Sequence, residues 1–414
     1  MDTVQAICEE ESDHLFPCFQ RADLAFTHGA GAWLDGADGA RYLDFATGIA
    51  VTGLGHSHPK LVEALIRQGR KLWHVSNAVR IPEQAELARL LCESTFADRV
   101  FFNNSGAEAV ETAIKTARRY QYVSGRPEHF NIVTFEGAFH GRTLATIAAG
   151  GREKYLEGFG PPAPGFTVVP FGDLDALGAV CDAGAAAVLL EPIQGESGVR
   201  RLGADMLRKV REICDRTGAL LIFDEVQTGV GRVGSFFAYQ GTSTTPDILA
   251  AAKGLGNGFP VAACLATEKA ASGMTPGTHG STFGGTPLAM VIASEVVAIV
   301  AEEAFLSEVR RVAAKLRAAL ETLSVLYPEV FPEVRGEGLL LGLRCGPPVV
   351  VVATAARANG LLSVVAAENV LRLLPPLIIT DAEIEEAFTR LKRVGNALTA
   401  TRRSKTPERE GDNA

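Results

Sequence analysis

The sequence lacks the features that mark several large classes of protein. Its 414 residues contain only seven cysteines, scattered and never spaced C-x-x-C, which fits neither a disulfide framework nor a zinc cluster. That usage predicts a reducing, cytoplasmic compartment. The sequence also has no long basic run, and its formal net charge is −8. Nucleic acid and anionic membranes are therefore not expected as partners, whereas small molecules are.

Long hydrophobic segments are missing as well. The longest apolar stretch, residues 288–300, carries Ser294 and Glu295 and is too short to span a bilayer, so it predicts a buried helix. Residues 1–14 are acidic and no basic residue precedes Arg21, which is unlike a secretory signal. Neither a membrane span nor a cleaved leader is expected.

The composition that remains, 47% hydrophobic and 21% charged, is typical of globular proteins. A chain of this length predicts two domains that share a large buried interior. Several apolar, β-branched runs precede turns rich in glycine or acidic residues, and helical patterns follow these turns. This order predicts an α/β fold built on parallel strands. The clearest runs are residues 99–102, 131–135, 186–190 and 219–223.

The pattern changes beyond about residue 305. Shorter strands are expected at residues 338–343 and 369–374, between amphipathic helices such as residues 381–398. This part of the chain predicts a separate α+β domain. Near the other end, residues 32–45 predict a hairpin with an Asp-Gly type of turn, which could pack on either unit.

Ligands of an open parallel sheet bind outside the carboxyl ends of its strands, so the turns after these runs are candidate sites. The segment NNSGAEAVETAIKTA, residues 103–117, opens a helix whose first N–H groups could receive a phosphate near Gly106. Ser105 and Glu108 equally satisfy a capping box, which is the favoured interpretation of this turn taken alone. No G-x-x-x-x-G-K-[ST] occurs, so a nucleotide P-loop is not supported.

A carboxylate and a lysine follow two later strands. Asp224 ends a very apolar run, so it is expected to face a cation or a protonated ring nitrogen, unless it merely caps the next segment. Lys253 stands between three alanines and a glycine-rich loop. Apolar surroundings would make it a neutral nucleophile toward an aldehyde, although taken alone a surface lysine is the commoner outcome.

Phosphate donors, an acid for a ring nitrogen and an imine-forming lysine together describe one ligand, pyridoxal 5′-phosphate. The chain contains, in this order, NNSGAEAVETAIKTARRY, FHGRT, EPIQGES, LLIFDEVQTGVGR, AAKGLGNGFP and HGSTFGG. From about Phe26 to Leu398 it resembles the class-III, fold-type I aminotransferases. Two further segments, DFATGIAVTGLGHSHP and LWHVSNAVRIPEQAELARLL, most resemble the acetylornithine aminotransferases of that family.

The resemblance implies a particular division of the chain. A large domain, with a mostly parallel central sheet flanked by helices, is expected to bind the cofactor, and a smaller α+β domain is expected beside it. We predict an N-terminal segment that packs with the small domain (1–50), the large domain (51–304), the small C-terminal domain (305–400) and a disordered tail (401–414).

The resemblance also assigns roles around the cofactor. Lys253 is expected to bind the cofactor's aldehyde covalently and then to carry a proton between substrate and cofactor. Asp224 is expected to keep the pyridine nitrogen protonated. Gln227 resembles the residue near the ring hydroxyl, while Val226 and Phe139 resemble the residues that cover the two faces of the ring.

The phosphate is expected at the start of the helix described above. By resemblance, Gly106 and Ala107 bind it through backbone N–H groups, helped by Ser105. Thr282 resembles a phosphate ligand that this family supplies from the neighbouring subunit. The resemblance therefore implies a homodimer with shared active sites.

Four residues are assigned to the substrates. Arg142 suits the distant α-carboxylate of a terminal-amine donor, because its guanidinium is planar and always charged; a structural ion pair is the alternative. Ser281 is expected to assist it. Glu196 and Arg372 resemble a gate in which the glutamate masks the arginine for one substrate and releases it for glutamate. Glu191, before a proline at a strand end, is expected to be structural.

The favoured reaction uses N2-acetylornithine and 2-oxoglutarate, in arginine biosynthesis. Residues 48–51 are small and apolar, which fits an uncharged acyl-amide better than a free α-amine. Thr52, Asn257 and Thr286 depart from the usual pattern of the family. Succinylornithine, N-succinyldiaminopimelate, ornithine and 4-aminobutyrate remain alternative donors, and a non-catalytic cofactor-binding regulator is the alternative of another class.

The histidines are weaker candidates for a catalytic or metal-binding role. The segment GHSHP, residues 55–59, could hold a metal ion, but a structural loop is favoured because no third ligand is in view. His140 and His279 lie within motifs, yet neither is needed as a base while Lys253 is available. No metal ion is expected.

Overall fold

The computed structural model describes residues 14–405, and their side chains as far as residue 400. Its strands are β1 (Phe26–Ala30), β2 (Trp33–Gly36), β3 (Arg41–Asp44), β4 (Arg99–Asn103), β5 (Asn131–Phe135), β6 (Phe166–Val169), β7 (Ala185–Leu190), β8 (Ile193–Gln194), β9 (Arg200–Arg201), β10 (Leu220–Asp224), β11 (Ile248–Ala251), β12 (Ala262–Ala266), β13 (Glu333–Glu337), β14 (Leu340–Arg344), β15 (Leu361–Leu362), β16 (Val364–Ala366) and β17 (Val370–Leu373).

Helices connect and cover these strands. They span Thr47–Ala50, Pro59–Gly69, Pro82–Ser94, Gly106–Val123, Leu144–Gly150, Glu153–Leu156, Leu174–Asp182, Ala204–Thr217, Glu268–Ala271, Pro287–Val300, Glu303–Leu326, Val349–Ala358 and Asp381–Lys405, with short 3₁₀ turns at Ala238–Gly241 and Lys253–Leu255. No helix in the described part of the chain is both long enough and apolar enough to cross a membrane.

The main sheet has seven strands in the order β4-β12-β11-β10-β7-β5-β6. The strand β12 runs antiparallel to β4 and to β11, and the other neighbours are parallel. All four runs predicted from the sequence are strands of this sheet. Every residue of β7 and β10 is buried, as expected where helices cover both faces. The predicted α/β fold class is confirmed.

The C-terminal part holds a second, antiparallel sheet in the order β13-β14-β17-β16. Both short strands predicted beyond residue 305 lie in it. The predicted N-terminal hairpin is formed by β2 and β3, and β15 pairs with β3 in parallel. This pairing joins the N-terminal hairpin to the C-terminal part of the chain.

A single cluster of buried apolar side chains includes both Leu221 of the main sheet and Leu341 of the second sheet. The two parts therefore share one interior, as the chain length predicts. The boundaries at residues 50 and 304 stay predictions. The last helix continues to Lys405, past the end predicted at residue 398, and the rest of the predicted tail lies outside the described residues.

Candidate active site

A cleft of about 310 Å³ opens at the carboxyl ends of the strands in the main sheet. Its walls include Gly106, Phe139, Asp224, Val226 and Lys253. These residues follow β4, β5, β10 and β11, so neighbouring strands deliver them to one edge of the sheet. Residues that the sequence separates by nearly 150 positions thus meet in one place.

Asp224 is the last residue of β10 and is 4% exposed. Its Oδ1 accepts a hydrogen bond from the Val226 N–H at 3.0 Å, and its Oδ2 lies 2.8 Å from His140 Nδ1. Each carboxylate oxygen keeps a further lone pair for a ligand in the cleft. The carboxylate is therefore buried, fixed in direction and able to face a ring nitrogen.

Lys253 follows β11 and adopts a left-handed backbone conformation, with φ 45°. Such a conformation is unfavourable for a residue with a side chain and is concentrated at functional sites. Burial, followed by the charge of Arg372, lowers the pKa of Lys253 to about 8. Its Nζ has no hydrogen-bond or ion-pair partner within residues 14–400, so the neutral amine is available as a nucleophile. The surface-lysine alternative does not fit this position.

The helix Gly106–Val123 begins at the same edge of the sheet. The capping box is present: Ser105 Oγ accepts from the Glu108 N–H at 3.4 Å, and Glu108 Oε2 accepts from the Ser105 N–H at 3.1 Å. The first-turn N–H groups of Gly106 and Ala107 still have no acceptor within the helix. A cap and an anion site are therefore compatible here, because they use different donors.

Three further residues that the resemblance assigns to the cofactor line the same cleft. Phe139 and Val226 both line the cleft, and a Cβ on Gly106 would stand 2.8 Å from Val226 Cγ1, so only glycine fits beside this valine. Gln227 also lines the cleft, and its Oε1 accepts from Arg372 Nη1 at 2.9 Å. Its amide nitrogen is left to donate to a ligand.

The two gate residues, 176 positions apart, are in contact: Arg372 Nη2 donates to Glu196 Oε1 at 2.7 Å. The Arg372 side chain is fully buried, and Glu196 lines the cleft. A Cβ on Gly195 would overlap Gln227 Oε1, and it would also press on Arg372 Nη1. A side chain at Gly195 would therefore displace Gln227 and Arg372 from the positions they hold here.

Arg142 lies beside the cleft, exposed to solvent. Its guanidinium carbon is 3.8 Å from the centre of the Tyr155 ring and 5.7 Å from that of Phe139. No carboxylate of the described side chains pairs with it, which disfavours the structural ion pair. Tyr155, which the sequence analysis missed, holds this cation by stacking.

The last two predicted residues stand apart from the walls of the cleft. Ser281 Oγ accepts from Gly284 N–H at 2.9 Å and from Asn104 Nδ2 at 3.4 Å, which places it near the start of the helix Gly106–Val123. Thr282 is exposed and is not among the residues that line the cleft of its own chain.

A family model described as aminotransferase class-III matches residues 19–394. The chain belongs to this family. Among curated class-III proteins, the acetylornithine aminotransferase of Agrobacterium fabrum is 57% identical over 391 residues, covering 94% of this chain and 98% of its own. The acetylornithine aminotransferase of Brucella melitensis biotype 1 is 56% identical, covering 93% of this chain and 96% of its own.

Solved structures of class-III aminotransferases share the fold. The ornithine aminotransferase from Toxoplasma gondii superposes with a TM-score of 0.93 at 31% identity, covering 97% of each chain. The N-acetylornithine aminotransferase from Stenotrophomonas maltophilia gives 0.82 at 36% identity, covering 95% of this chain and 99% of that one. These matches confirm the predicted fold type and the predicted class of enzyme.

Pyridoxal 5′-phosphate is the cofactor of class-III aminotransferases, so the predicted cofactor is confirmed for the family. The cleft fits it on three grounds of its own. Lys253 presents an unpaired amine, Asp224 presents a fixed carboxylate, and the helix at Gly106 presents free N–H groups with no room for a side chain. The residue roles assigned by resemblance stay predictions.

From the sequence alone, His140 and Glu191 have no assigned role in this aminotransferase site, because Glu191 is expected to be structural and His140 is not needed as a base. Both line the cleft, and His140 contacts Asp224 directly. The strand-end rule that identified Asp224 applies equally to Glu191, which follows β7, and His140 stands inside the motif FHGRT. The histidines of residues 55–59 lie elsewhere, where His56 Nε2 is 2.8 Å from Asp44 Oδ2.

Proposed function

We propose that this aminotransferase moves the terminal amino group of N2-acetylornithine to 2-oxoglutarate, which forms glutamate, in arginine biosynthesis. The observation that carries the proposal is a single cleft that holds Lys253 and Asp224, with Arg142 beside it and the Glu196–Arg372 pair in its wall. The relatives that are more than 50% identical over most of the chain bear the name acetylornithine aminotransferase. A non-catalytic regulator would not need all of these groups.

When bound, pyridoxal 5′-phosphate supplies an aldehyde that carries the amino group and a ring that accepts electrons. The protein's own groups do the rest. The neutral Lys253 amine would hold the cofactor by condensing with its aldehyde, with loss of water, and would be placed to move the proton of the donor's carbon. Asp224 would hold the ring nitrogen by charge and direction, and Phe139 and Val226, which line the cleft, would cover the ring and exclude water.

The two ends of the donor call for different contacts. Arg142 is free to bind the distant α-carboxylate of the donor with two parallel hydrogen bonds. Val51 lines the cleft, and the segment Gly48–Val51 offers no carboxylate to pair with a free α-ammonium. An acyl-amide avoids that uncompensated charge.

Arg372 provides the carboxylate site for the second substrate. It is masked while Glu196 holds it, and it becomes available to the α-carboxylate of glutamate once Glu196 turns away. One cleft can thereby accept a terminal amine in one half-reaction and an α-amine in the other.

Ornithine is the rival donor with an observation in its favour, because the Toxoplasma gondii ornithine aminotransferase superposes with a higher TM-score than the Stenotrophomonas enzyme. A common fold does not fix the substrate, however, and the identity to that protein is only 31%. The pocket chemistry at Gly48–Val51 and the names of the nearer relatives weigh more. Succinylornithine, N-succinyldiaminopimelate and 4-aminobutyrate remain for the same test.

The test is a comparison of kcat/KM for N2-acetylornithine, the two succinylated donors, ornithine and 4-aminobutyrate, each with 2-oxoglutarate. We expect N2-acetylornithine to exceed ornithine by about tenfold or more, since an uncompensated charge in the pocket costs at least ~1.4 kcal/mol. A preference for unacylated ornithine or for 4-aminobutyrate would reject the proposal. A preference for a succinylated donor would keep the reaction and change the acyl group.

We also propose a homodimer with shared active sites. Thr282 is exposed on its own chain, next to an exposed Phe283, and it is therefore available to a partner's cleft. Sedimentation equilibrium measures the assembly directly. A cytoplasmic location is proposed as well, because the six cysteines of the described residues are all free, as in a reducing compartment.

A further inference from the structure

Three buried side chains meet behind the cofactor end of the cleft. His140 and Glu191 follow β5 and β7, Asp224 ends β10, and one ligand atom of each lies within 4.8 Å of the others. His140 Nδ1 is 2.8 Å from Asp224 Oδ2, and Glu191 Oε1 accepts from the Phe139 N–H at 2.7 Å. His140 Nε2 is buried and has no partner in the described part of the chain. We call these three residues the acid–histidine cluster.

The cluster holds a titratable proton near neutral pH. Burial raises the pKa of Glu191 to about 7, against the opposing charge of His140. Burial disfavours the charged form of His140, but the hydrogen bond and the charge of Asp224 outweigh it, with help from Glu191, and the pKa of His140 is raised. The other charges that face the cluster are Lys253, toward Glu191, and Arg152, toward His140.

Two placements of this proton give the same charge. On Glu191, it leaves a neutral His140 that donates its Nδ1 hydrogen to Asp224; on His140, it leaves an imidazolium between two carboxylates. Either way the three groups carry a net charge of −1, which matches one protonated ring nitrogen. Burial raises the pKa of Glu191 to about 7, and once Glu191 is ionised beside a neutral His140 the net charge becomes −2.

We propose that His140 and Glu191 are positioning residues for Asp224. His140 and Glu191 share one proton, and in this way they set the direction of the Asp224 carboxylate and its electrostatic field toward the cofactor. The proposal rests on the assignment of pyridoxal 5′-phosphate to the cleft. It is independent of which amino donor the enzyme uses.

A purely structural role for Glu191 makes a different prediction. Its Oε1 accepts from Phe139 N–H, and glutamine would keep that bond while removing the titration. Glu191→Gln should therefore resemble the wild type if the residue only supports the backbone. If Glu191 shares a proton with His140, the variant should lose the pH dependence that this proton confers.

Glu225 provides a matched control. It is also fully buried, burial raises its pKa to about 7 as well, and it adjoins Asp224 in sequence. Its carboxylate, however, accepts from the N–H groups of Ala238 and Tyr239 and from the Thr228 hydroxyl, and no hydrogen bond or ion pair joins it to His140 in the described part of the chain. Glu225→Gln makes the same chemical change outside the cluster.

The experiment measures the Kd of pyridoxal 5′-phosphate for the full-length chain, and the visible absorption of the bound cofactor, between pH 6 and pH 8. The quantity compared is the ratio of the Kd at pH 8 to the Kd at pH 6. We expect Glu191→Gln to change this ratio by about 3- to 10-fold relative to the wild type, as for a charge that moves a pKa by up to ~1 unit. Glu225→Gln should leave that ratio within about twofold of the wild type and lower only the Tm.

Two changes at His140 complete the test. His140→Leu removes the donor to Asp224 and should weaken cofactor binding by about tenfold or more, since a hydrogen bond to a charged group is lost. His140→Asn keeps a donor at that point and should restore most of the affinity at pH 7. This pair serves even if Glu191→Gln does not fold.

The proposal would be overturned if the cofactor Kd of Glu191→Gln changed with pH as it does in the wild type and in Glu225→Gln. It would also be overturned if His140→Leu and His140→Asn bound the cofactor with equal affinity. Failure of the proposed function appears differently. A chain that binds no pyridoxal 5′-phosphate at any pH would remove the cofactor assignment itself, and a different preferred amino donor would leave the cluster untouched.

Discussion

At the cofactor end of the cleft, Asp224 ends a strand of the main sheet, Gly106 and Lys253 follow two other strands within three residues, and the side chain of Asp224 is buried. At the substrate end, Arg142 is exposed, and the Glu196–Arg372 pair joins a turn of the large part of the molecule to a strand of the second sheet. The first end is rigid because the sheet sets its geometry. The second relies on side chains that have alternative partners, which suits a site that must accept two substrates in turn.

The largest effect is expected at the rigid end. Lys253→Ala removes the nucleophile and the proton carrier together, so turnover should fall by roughly 10³-fold or more. The chain should remain folded, because the amine makes no hydrogen bond within the described residues. Borohydride reduction followed by mass spectrometry should find the cofactor attached at Lys253 in the wild type and at no lysine in the variant. Exposed Lys209→Ala is the control, and turnover retained by Lys253→Ala would refute the assignment.

An intermediate effect is expected at Arg142. Arg142→Ala should raise KM for the acylated donor by about 10- to 100-fold, since a charge-assisted contact contributes about 1.5–3 kcal/mol. Tyr155→Leu keeps the charge and loses only the stacking, so a change of about 2- to 5-fold follows from an exposed cation–π contact of ~0.5–1 kcal/mol. A diamine donor, which has no α-carboxylate, should be indifferent to both. An equal loss with the diamine would show that Arg142 does not bind the carboxylate.

The smallest effect is expected from the gate. Glu196→Gln weakens the hold on Arg372, so kcat/KM for glutamate should rise about 3- to 10-fold relative to the terminal-amine donor. Glu368→Gln is the matched control, because Glu368 pairs with Arg335 at 2.6 Å and is not among the residues that line the cleft. A donor ratio that stays the same in both variants would count against the gate.

The difference between the two ends also explains what the sequence could predict. Asp224 and Lys253 follow apolar runs, and a strand-end rule finds such positions without knowledge of the fold. Arg372 and Glu196 have no local pattern that joins them, because they meet only after two sheets pack. Resemblance to a family supplied that pair, together with Arg142 and Thr282. His140 could have been found from its place in FHGRT, but its contact with Asp224 spans 84 positions.

Some strands of the fold could likewise be predicted from the sequence, and others could not. Strands rich in β-branched and large apolar residues, such as β5 and β10, were predicted to within a residue or two. The strands β11 and β12 were not, because ILAA and AACLA are rich in alanine, which has low preference for strands. The direction of β12 has a further cause. Ten residues, 252–261, separate it from β11, and a parallel crossover usually needs a dozen or more.

The place of β4 at the edge of the main sheet has a consequence during synthesis. Among the described strands its only sheet neighbour is β12, and Asn103 is paired with Ala262, roughly 160 residues later in the chain. At the usual pace of translation, the ribosome needs roughly 8 to 30 s to make that intervening length. During that time the backbone N–H and C=O groups of β4 have no partner strand. A nascent chain of this protein should therefore depend on chaperones most during that interval.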